Sequence, residues 1–521
     1  MCDRERGWSV VPELKDRGLA EDAELPEPSR PPRPPRSFRR PGPLKTWQFT
    51  AAAATFGLVL SAVVVTAAGP WDSGQRTAER AWAASREADG GADHGRDRGE
   101  PDPAPAAPDV LSALGAPQGS APAPTKSALA DVLDPLLKDP SLGTHRTASV
   151  VDALTGEELY AAKSGDAVTP ASTTKIATAV AALTALGPDH RIVTKAVADP
   201  GANELVLVGA GDPTLTARPD GNGGSSLREL ARATAKSLAE HPREGKLRLS
   251  YDTSLYSGPG LHPIGPNENI APVSALMIDE GRLDDSASGP AARSGDPAAA
   301  AAKRFAEMLR EEGVRLEGGA PQASKAGAKA EELGSTASAP LTALVERMLT
   351  HSDNDIAEAL VRQVALASGE PASFDGAAKA VEKRLRDLQL PVEGAKFADG
   401  SGLNRADRVS ARLLTALLAK AADPAHPELR PALTGLPVAG FTGTLKNRYA
   451  FDEASGAAPG TGLVRAKTGT LTGINTLAGS VVDADGRLLL FAFTASGTSA
   501  PQAAQSTLDR LAATVANCGC R

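Results

Sequence analysis

The sequence is poor in cysteine and in aromatic residues, and each shortage excludes a class of protein. Its 521 residues contain only Cys2, Cys518 and Cys520, all close to the chain ends. They cannot build a disulfide framework or a four-ligand zinc site, and a Cys518–Cys520 bridge would close a very small, strained ring. We therefore expect terminal thiols without a catalytic role. Aromatics make up 3%, whereas glycine and proline number 51 and 41, so part of the chain cannot bury a core.

Common cofactor and catalytic motifs are missing as well. The sequence contains no HExxH, P-loop or GxGxxG pattern, so we expect neither a metal nor a nucleotide cofactor. No GxSxG elbow occurs, which excludes the usual Ser-His-Asp hydrolase. The net charge of -7 is mild, whereas a dedicated nucleic-acid-binding protein would show a basic face. We therefore expect no nucleic-acid partner.

The N-terminal part combines a polar tail with a hydrophobic run. Residues 1–46 are charged and rich in proline, which predicts a disordered tail. The uncharged run from Phe49 to Gly69 is long enough to cross a bilayer, with Trp47 and Trp71 near its two ends. We predict a transmembrane signal anchor over residues 47–70. A cleaved signal peptide is the alternative, although the preceding leader is long for one.

The charges that flank this run predict its orientation. Six basic residues lie between Arg30 and Lys45, and three follow the run before Asp89. The excess on the N-terminal side indicates a cytoplasmic N-terminus and an extracytoplasmic remainder. Residues 71–125 are rich in proline, alanine and glycine, which predicts a disordered linker. We therefore expect a single-pass protein of the cell membrane whose folded part lies outside.

The folded part shows strand patterns at both ends. TASVVDALTGEELYAAKSG (147–165) predicts one β-hairpin, and INTLAGSVVDADGRLLLFAFTAS (474–496) predicts another. A closing amphipathic helix is predicted over QAAQSTLDRLAATVAN (502–517). Helical patterns fill much of the chain between the hairpins. This order predicts an α+β domain whose sheet is assembled from both ends of the folded chain.

The middle of the folded part differs from its two ends in composition and in predicted secondary structure. Short strand patterns, ELVLVGAGDPTL and KLRLSYDTSL, alternate with loops rich in glycine, proline, serine and aspartate. We predict that residues 191–335 are an inserted, mostly-β domain, in which SASGPAARSGDPAAAAAKR is partly mobile. The main domain would then consist of residues 126–190 and residues 336–521.

The first motif that carries chemistry is Ser172-Thr173-Thr174-Lys175, followed by the apolar run IATAVAALTAL. The run predicts a helix with Ser172 in its first turn and Lys175 one turn further on the same face. A serine nucleophile needs a base within hydrogen-bond reach, and a lysine can serve if its surroundings keep it neutral. The N–H groups of a helix N-terminus also favour developing negative charge. Taken alone, however, Ser172 is equally suited to cap a helix.

Two further motifs follow in order. Ser352-Asp353-Asn354 opens the helical pattern DIAEALVRQVAL, and Lys467-Thr468-Gly469-Thr470 lies in the strand-like LVRAKTGTL. Alone, the first is an ordinary helix cap and the second a strand end. Gly469 would let a substrate backbone approach, and an edge strand can pair with an extended peptide. Together with Ser172 and Lys175, the motifs predict a serine acyl-transfer enzyme.

The three motifs resemble the SxxK, SxN and KTG motifs of serine DD-peptidases and serine β-lactamases. Further stretches are similar to the D-alanyl-D-alanine carboxypeptidase/endopeptidase branch, the low-molecular-mass class C penicillin-binding proteins: LVLVGAGDPTL (205–215), YDTSLYSGPGLHP (251–263) and FADGSGLNRADRVS (397–410). The resemblance covers about residues 127–515. It implies a penicillin-binding domain with a five-stranded antiparallel sheet flanked by helices and interrupted by an inserted domain. The segment between Ser172 and Ser352 is short for the two nested insertions of larger members.

The resemblance also implies a role for each motif residue. Ser172 attacks a peptidoglycan stem peptide, Lys175 takes its proton, and Ser352 relays a proton to the leaving D-Ala. The backbone N–H groups of Ser172 and Thr470 form the oxyanion hole. The residues implied to bind substrate are Asn354, Lys467, Thr468, Gly469 and Thr470. β-Lactam antibiotics would acylate the same serine, and no metal is required.

Two other functions remain open at the level of sequence. A β-lactamase would share the motifs but needs a deacylating base, for which the chain offers no convincing candidate after Ser352-Asp353-Asn354. A catalytically silent wall-binding or β-lactam-sensing protein is disfavoured by the intact motifs and by the short N-terminal tail. The stretch Asp399 to Arg405 is either a loop at the cleft or an ordinary turn. The balance between carboxypeptidase and endopeptidase activity is left open.

Overall fold

The computed structural model describes residues 121–219, 224–243, 245–449 and 460–519. The tail and the anchor predicted for residues 1–70, and most of the linker, lie outside these residues. In the part of the chain that is described, no helix has the length and apolar character needed to cross a membrane.

The described residues form twelve strands and ten α-helices. The strands are β1 His145–Asp152, β2 Glu158–Ala162, β3 Ala167–Val168, β4 Val193–Ala198, β5 Glu204–Val208, β6 Arg248–Asp252, β7 Gln322–Ala323, β8 Glu331–Ala337, β9 Val409–Ser410, β10 Arg465–Leu471, β11 Ile474–Val482 and β12 Leu488–Ser496. The helices are α1 Lys126–Leu137, α2 Thr174–Leu186, α3 Leu227–Glu240, α4 Pro297–Glu311, α5 Leu341–His351, α6 Asn354–Ala367, α7 Phe374–Asp387, α8 Ala411–Ala422, α9 Pro431–Thr434 and α10 Pro501–Ala516.

The main sheet has five strands in the order β10-β11-β12-β1-β2, and every pair is antiparallel. Strand β1 pairs with β12 from His145 opposite Ser496 to Asp152 opposite Leu489. This pairing joins the first hairpin of the folded part to the last. The two predicted hairpins, the closing helix and the sheet made from both ends of the folded chain are therefore confirmed.

The two faces of this sheet bury different side chains, because successive residues of a strand point to opposite sides. Phe491 and Phe493 of β12 belong to a core that also contains Leu129 of α1 and Leu511 of α10. Leu490 and Ala492, which alternate with them, face the other way, toward a larger core built mostly from helices. The sheet is thus covered on both faces, which gives a layered α+β domain.

Helix α2 is the centre of the helical layer. All residues from Thr174 to Leu183 are buried, as expected of a helix that is apolar on all sides. It packs against α6, α7 and α8. The helix that follows Ser172 is therefore enclosed by neighbours along most of its length, which fixes the position of its N-terminal end.

A second sheet, β7-β6-β5-β4-β8, forms between residues 193 and 337. Strands β5, β6 and β7 run parallel, and parallel neighbours need a crossover connection, usually a helix. Helices α3 and α4 are these crossovers, and both contribute to the core on this sheet. The expectation of a mostly-β segment is therefore wrong. The alanine-rich stretch expected to be partly mobile contains the start of α4, whose N-cap is Asp296.

The C-terminal Cys518 differs from what the sequence led us to expect. Cys518 is buried and disulfide-bonded rather than a free thiol. Its partner lies outside the described residues, since Cys518 is the only cysteine among them. The expectation of free terminal thiols is thus wrong for Cys518.

Candidate active site

Ser172 lies in a tight turn immediately before α2. The turn, Ala171–Thr173, is a single 3-10 turn, and Ala171 adopts a positive φ of 49°. A non-glycine residue rarely occupies this region, so the turn is held by its surroundings. The Thr173 hydroxyl donates to the Pro170 carbonyl oxygen at 2.7 Å. Ser172 itself is only partly buried, which leaves its hydroxyl group accessible.

Lys175 lies one turn from Ser172, as predicted, and its amine has three oxygen neighbours. Its Nζ is 3.1 Å from Ser172 Oγ, 2.7 Å from Asn354 Oδ1 and 2.6 Å from the Ser401 carbonyl oxygen. A neutral amine has two N–H groups and one lone pair. Amide and carbonyl oxygens can only accept, so they take the two N–H groups. The lone pair is then left to accept the proton of the Ser172 hydroxyl.

The surroundings of Lys175 shift its protonation equilibrium toward the neutral form. Burial lowers the pKa of Lys175 to about 8, against the opposing charges of Asp399 and Asp353. Desolvation penalises the charged form of an amine, whereas nearby carboxylates stabilise that charged form. Burial also lowers the pKa of Lys467 well below its usual range, and the neighbouring Lys175 charge lowers it further. The pair thus provides a base that can be unprotonated near neutral pH.

The Ser352-Asp353-Asn354 motif connects α5 to α6. Ser352 ends α5 in the left-handed conformation, with φ 59° and ψ 40°, which lets the chain turn sharply. The Asp353 side chain caps α6 by accepting the Ile356 N–H at 3.0 Å. Asn354 follows as the first residue of α6 and contacts Lys175. The Ser352 side chain is partly buried and forms no hydrogen bond with any residue that the structure describes.

The Lys467-Thr468-Gly469-Thr470 motif lies on β10, at the edge of the main sheet. Lys467 is fully buried, and its Nζ donates to the Thr468 carbonyl oxygen at 2.8 Å. The Thr468 hydroxyl lies 2.8 Å from that of Thr444, and Thr470 is exposed. Among the described strands β10 pairs only with β11. On its other side, the Ala466 N–H donates to the Pro437 carbonyl oxygen at 2.9 Å. The open part of this edge therefore begins after Ala466, and this part can receive an extended peptide.

Gly469 is needed for a reason that the sequence analysis did not identify. A Cβ at this position would lie 2.1 Å from Thr476 Oγ1 and 2.8 Å from the Pro170 carbonyl oxygen. Both distances are far below any real contact. The glycine therefore lets β10 approach the turn that carries Ser172 from behind. From the sequence, Gly469 was expected only to leave space for a substrate backbone.

The stretch Asp399 to Arg405 forms a tight turn against the start of α2. Asp399 accepts the N–H groups of Gly402 at 2.6 Å and Asn404 at 2.7 Å. A Cβ at Gly402 would lie 2.0 Å from the Ala171 carbonyl oxygen, so only glycine fits there. The turn presents the Ser401 carbonyl oxygen to Lys175. The DGSG pattern indicates the turn, but a backbone carbonyl contact leaves no signal in a sequence.

Glu358 is a further residue that the sequence analysis missed. It lies on the buried face of α6, and its Oε1 accepts the N–H groups of Gly400 and Ser401, each at 2.9 Å. Burial raises its pKa, as does the charge of Asp399, while Arg362 lowers it. The available signal was the pair Glu358 and Arg362, which are spaced i, i+4 within the mostly apolar run DIAEALVRQVAL.

Two groups of buried side chains have the composition of a metal site. The groups are His262, Glu358 and Asp399, and Glu280, Asp353 and Asp355. In the first, Asp399 and Glu358 already accept backbone N–H groups of the 399–404 turn. In the second, arginine side chains pair with the carboxylates, as Arg293 does with Asp355 at 2.8 Å. Protein contacts thus already use carboxylate oxygens of both groups, although Glu358 Oε2 is buried without a hydrogen-bond partner among the described residues.

Sequence comparison places this chain among known carboxypeptidases. The sequence model of the D-Ala-D-Ala carboxypeptidase 3 (S13) family matches residues 129–291 and 284–515. Carboxypeptidase Rv3627c of Mycobacterium tuberculosis is 38% identical over 433 residues, covering 81% of this chain and 90% of that protein. Carboxypeptidase DacB of Mycolicibacterium smegmatis has the same identity and coverage. A D-alanyl-D-alanine carboxypeptidase of Actinomadura sp. is 30% identical, covering 72% of this chain and 82% of that protein.

Structure comparison gives the same fold. Penicillin binding protein 4 (dacB) from Haemophilus influenzae aligns with a TM-score of 0.60 and 22% identity, covering 74% of this chain and 97% of that chain. The same protein complexed with a β-lactam aligns with a TM-score of 0.58, covering 73% and 97%. This likeness establishes the fold of the layered domain around the Ser172 turn.

Proposed function

The chain belongs to the D-Ala-D-Ala carboxypeptidase 3 (S13) family, and from this membership we propose a catalytic role for each residue of the site. The protein is a serine-type D-Ala-D-Ala carboxypeptidase of the penicillin-binding class. The observation that supports the proposed roles best is the environment of Lys175. Two of its three neighbours can only accept hydrogen bonds, so its lone pair is directed to the Ser172 hydroxyl.

Acylation begins with Ser172. Its Oγ attacks the carbonyl carbon of the penultimate D-Ala while its proton passes to Lys175 Nζ. The backbone N–H groups of Ser172 and Thr470 stabilise the oxyanion that forms, as preorganised donors do in other acyl-transfer enzymes. The C–N bond then breaks, and the D-Ala amine leaves after receiving a proton through Ser352. Water hydrolyses the acyl-enzyme, and the Ser172 hydroxyl is restored.

The terminal carboxylate of the substrate has a matching set of groups. We assign Lys467, Thr468 and Thr470 to this carboxylate, because it requires a cation and hydroxyl donors. Lys467 is buried, and its pKa is lowered well below the usual range. A bound carboxylate supplies the opposite charge that favours the protonated amine. Substrate binding therefore draws a proton onto Lys467.

The substrate is a peptidoglycan stem peptide in this proposal, and β-lactam antibiotics are inhibitors that acylate Ser172. The family description and the β-lactam complex of the Haemophilus influenzae relative support both points. The family also favours the peptidase over the β-lactamase. Endopeptidase cleavage next to a D-residue would use the same serine.

The full chain incubated with a fluorescent penicillin tests this function, beside the Ser172→Ala variant. We expect stable labelling of the wild type alone and release of D-alanine from a stem pentapeptide. Folded wild-type protein that neither binds the label nor releases D-alanine would contradict the function. Rapid loss of the label by hydrolysis would instead indicate a β-lactamase.

We also propose that the enzyme is anchored in the cell membrane through residues 47–70, with the catalytic domain outside. The uncharged run and the excess of basic residues before it support this location. Protease treatment of intact protoplasts tests it. Digestion of the catalytic domain, with a protected fragment of the N-terminal tail, is the expected result. A catalytic domain that is protected until lysis would contradict it.

A further inference from the structure

The two oxygens that take the Lys175 N–H groups are not fixed by their own geometry. Asn354 carries an amide that can rotate by half a turn and present nitrogen instead of oxygen. Ser401 lies in a turn, outside any helix or strand. Some other part of the molecule must hold both oxygens against Lys175, because a misplaced catalytic group lowers the rate steeply.

One loop of the second-sheet region contacts Asn354 directly and is linked to the Ser401 turn through Asp399. It runs from His262 to Ala271, and we call it the bracing loop. The Asn269 carbonyl oxygen accepts the Asn354 Nδ2 group at 2.9 Å. This bond fixes the amide nitrogen, so the amide oxygen is directed to Lys175. The Ala271 N–H also donates to Asp355 at 2.9 Å, which ties the loop to the first turn of α6.

His262 connects the same loop to the Ser401 turn. Its Nε2 lies 2.9 Å from Asp399 Oδ2, and its Nδ1 lies 3.3 Å from the Ile264 N–H. Because the backbone N–H must donate, Nδ1 accepts and Nε2 carries the proton given to Asp399. The His262 side chain is only 1% exposed, and its ring meets the Phe374 ring edge-on at 5.4 Å. Asp399 in turn holds the turn that presents the Ser401 carbonyl oxygen.

We propose that the bracing loop positions the general base, with His262 holding the Ser401 oxygen through Asp399 and Asn269 holding the Asn354 oxygen. The proposal rests on the function of Ser172 and Lys175 given above and deepens it. His262 is a positioning residue, since it touches neither the nucleophile nor Lys175. The bracing loop, which lies far in sequence from the Ser172 and Asn354 motifs, thereby supports the catalytic site.

The electrostatics around Lys175 give the expected direction of change. The groups that face it are Lys467 from β10, Asp353 from the start of α6, Glu358 from α6, and Asp399 and Asp407 from the turn and the residues after it. Removing the His262 donor makes the anionic form of Asp399 less favourable and loosens its turn. Lys175 then loses an acceptor that stabilises its charged form, and this loss lowers the pKa of Lys175.

The test compares four variants of the full chain by their rates of acylation with benzylpenicillin across a range of pH. His262→Leu removes the donor. His262→Gln can place its amide nitrogen near the Nε2 position, whereas His262→Asn is one methylene shorter and falls short of Asp399. His145→Leu is the matched control, since it breaks an exposed pair with Asp166 at 3.4 Å.

We expect His262→Leu and His262→Asn to acylate about tenfold to a hundredfold more slowly, with the acid limb of the pH profile moved to lower pH. His262→Gln should recover most of the rate, and His145→Leu should match the wild type. Folded variants that lose only thermal stability, with an unmoved pH profile, would overturn the proposal. If His262→Leu does not fold, equal rates for Gln and Asn would overturn it.

Failure of the proposed function would look different. In that case the wild type would not be acylated at all, or Ser172→Ala would still be labelled. The positioning proposal fails when the wild type is acylated normally but the His262 variants match the wild type, or when His262→Gln is no faster than His262→Asn.

Discussion

Around the amine of Lys175, three oxygens decide what this residue can do. When the amine is neutral, two of them accept its N–H groups and the third, the Ser172 hydroxyl, can donate to its lone pair. Replacing Lys175 with methionine keeps the length of the side chain but removes the base. We expect acylation by penicillin to fall by about 10²- to 10⁴-fold, with the protein still folded by circular dichroism. Lys236→Met is the control, since the Lys236 side chain is 78% exposed on α3; slow acylation in that variant would point to a non-specific effect.

The lowered pKa of Lys175 leads to a prediction about pH. A general base works in its unprotonated form, and the fraction of unprotonated Lys175 increases as the pH rises through about 8. The rate of acylation should therefore climb with pH across this region and level off above it. Because Lys175 and Lys467 interact, the midpoint belongs to the pair. A rate that is already maximal at pH 6 would contradict this assignment of the base.

Gly469 allows a test of the packing behind Ser172. Gly469→Ala places a Cβ against Thr476 Oγ1 and the Pro170 carbonyl oxygen, so it should displace the Ser172 turn and slow acylation. Thr476→Ala removes the closer of the two atoms. The double variant should recover part of the loss, because the two changes share one contact. Strictly additive effects in this mutant cycle would show that the contact is not the cause.

At the scale of elements, one capped helix carries two of the groups that surround Lys175. Helix α6 begins with Asn354 and holds Glu358 one turn later, so its first turn must be well fixed. Asp353→Ala removes the cap and should cost about 1 kcal/mol of stability, with slower acylation as Asn354 shifts. Asp353→Asn retains an oxygen that caps the helix, so it should keep most of the stability and most of the acylation rate. Equal stability of the two variants by chemical denaturation would argue against the cap.

The elements also show what the sequence could and could not reveal. Hairpins β1–β2 and β11–β12 were predictable because their residues alternate and a turn signal separates the strands. Helix α4 was missed because its alanine-rich start resembles a loop, although Asp296 and Pro297 form an ordinary helix start. The role of α3 as a crossover helix follows from the parallel pairing of β5 and β6. Only the assembled sheet reveals this pairing.

In the candidate site, too, some contacts follow from local sequence patterns and others only from tertiary packing. The positions of Ser172 and Lys175 follow from helical spacing, so a sequence can predict their contact. The contacts of Ser401 and Asn269 use backbone oxygens, which every residue carries. His262 and Asp399 are far apart in sequence, and each alone is unremarkable among loop residues. Such long-range polar contacts depend on tertiary packing that no local pattern encodes.

At the scale of the whole molecule, the main sheet joins the beginning and the end of the folded chain. Strand β10, which carries Lys467, belongs to this sheet together with β1 and β12. Helix α10 covers one face, and Leu511 is completely buried there. The sheet that contains β10 thus depends on contacts made by the last helix. Ser172, the proposed nucleophile, lies on the opposite, helical side of the same sheet.

This arrangement predicts that distant damage to the core abolishes the site as a unit. Leu511→Ala leaves a cavity beside the aromatic residues of β12 and should cost about 2 to 5 kcal/mol. Leu154 is 59% exposed, so Leu154→Ala should change stability by no more than about 0.5 kcal/mol. As the temperature rises, penicillin labelling of the Leu511 variant should disappear at its unfolding midpoint, below that of the wild type. Labelling lost well below that midpoint would mean that the site unfolds separately, since a shared sheet requires the two transitions to coincide.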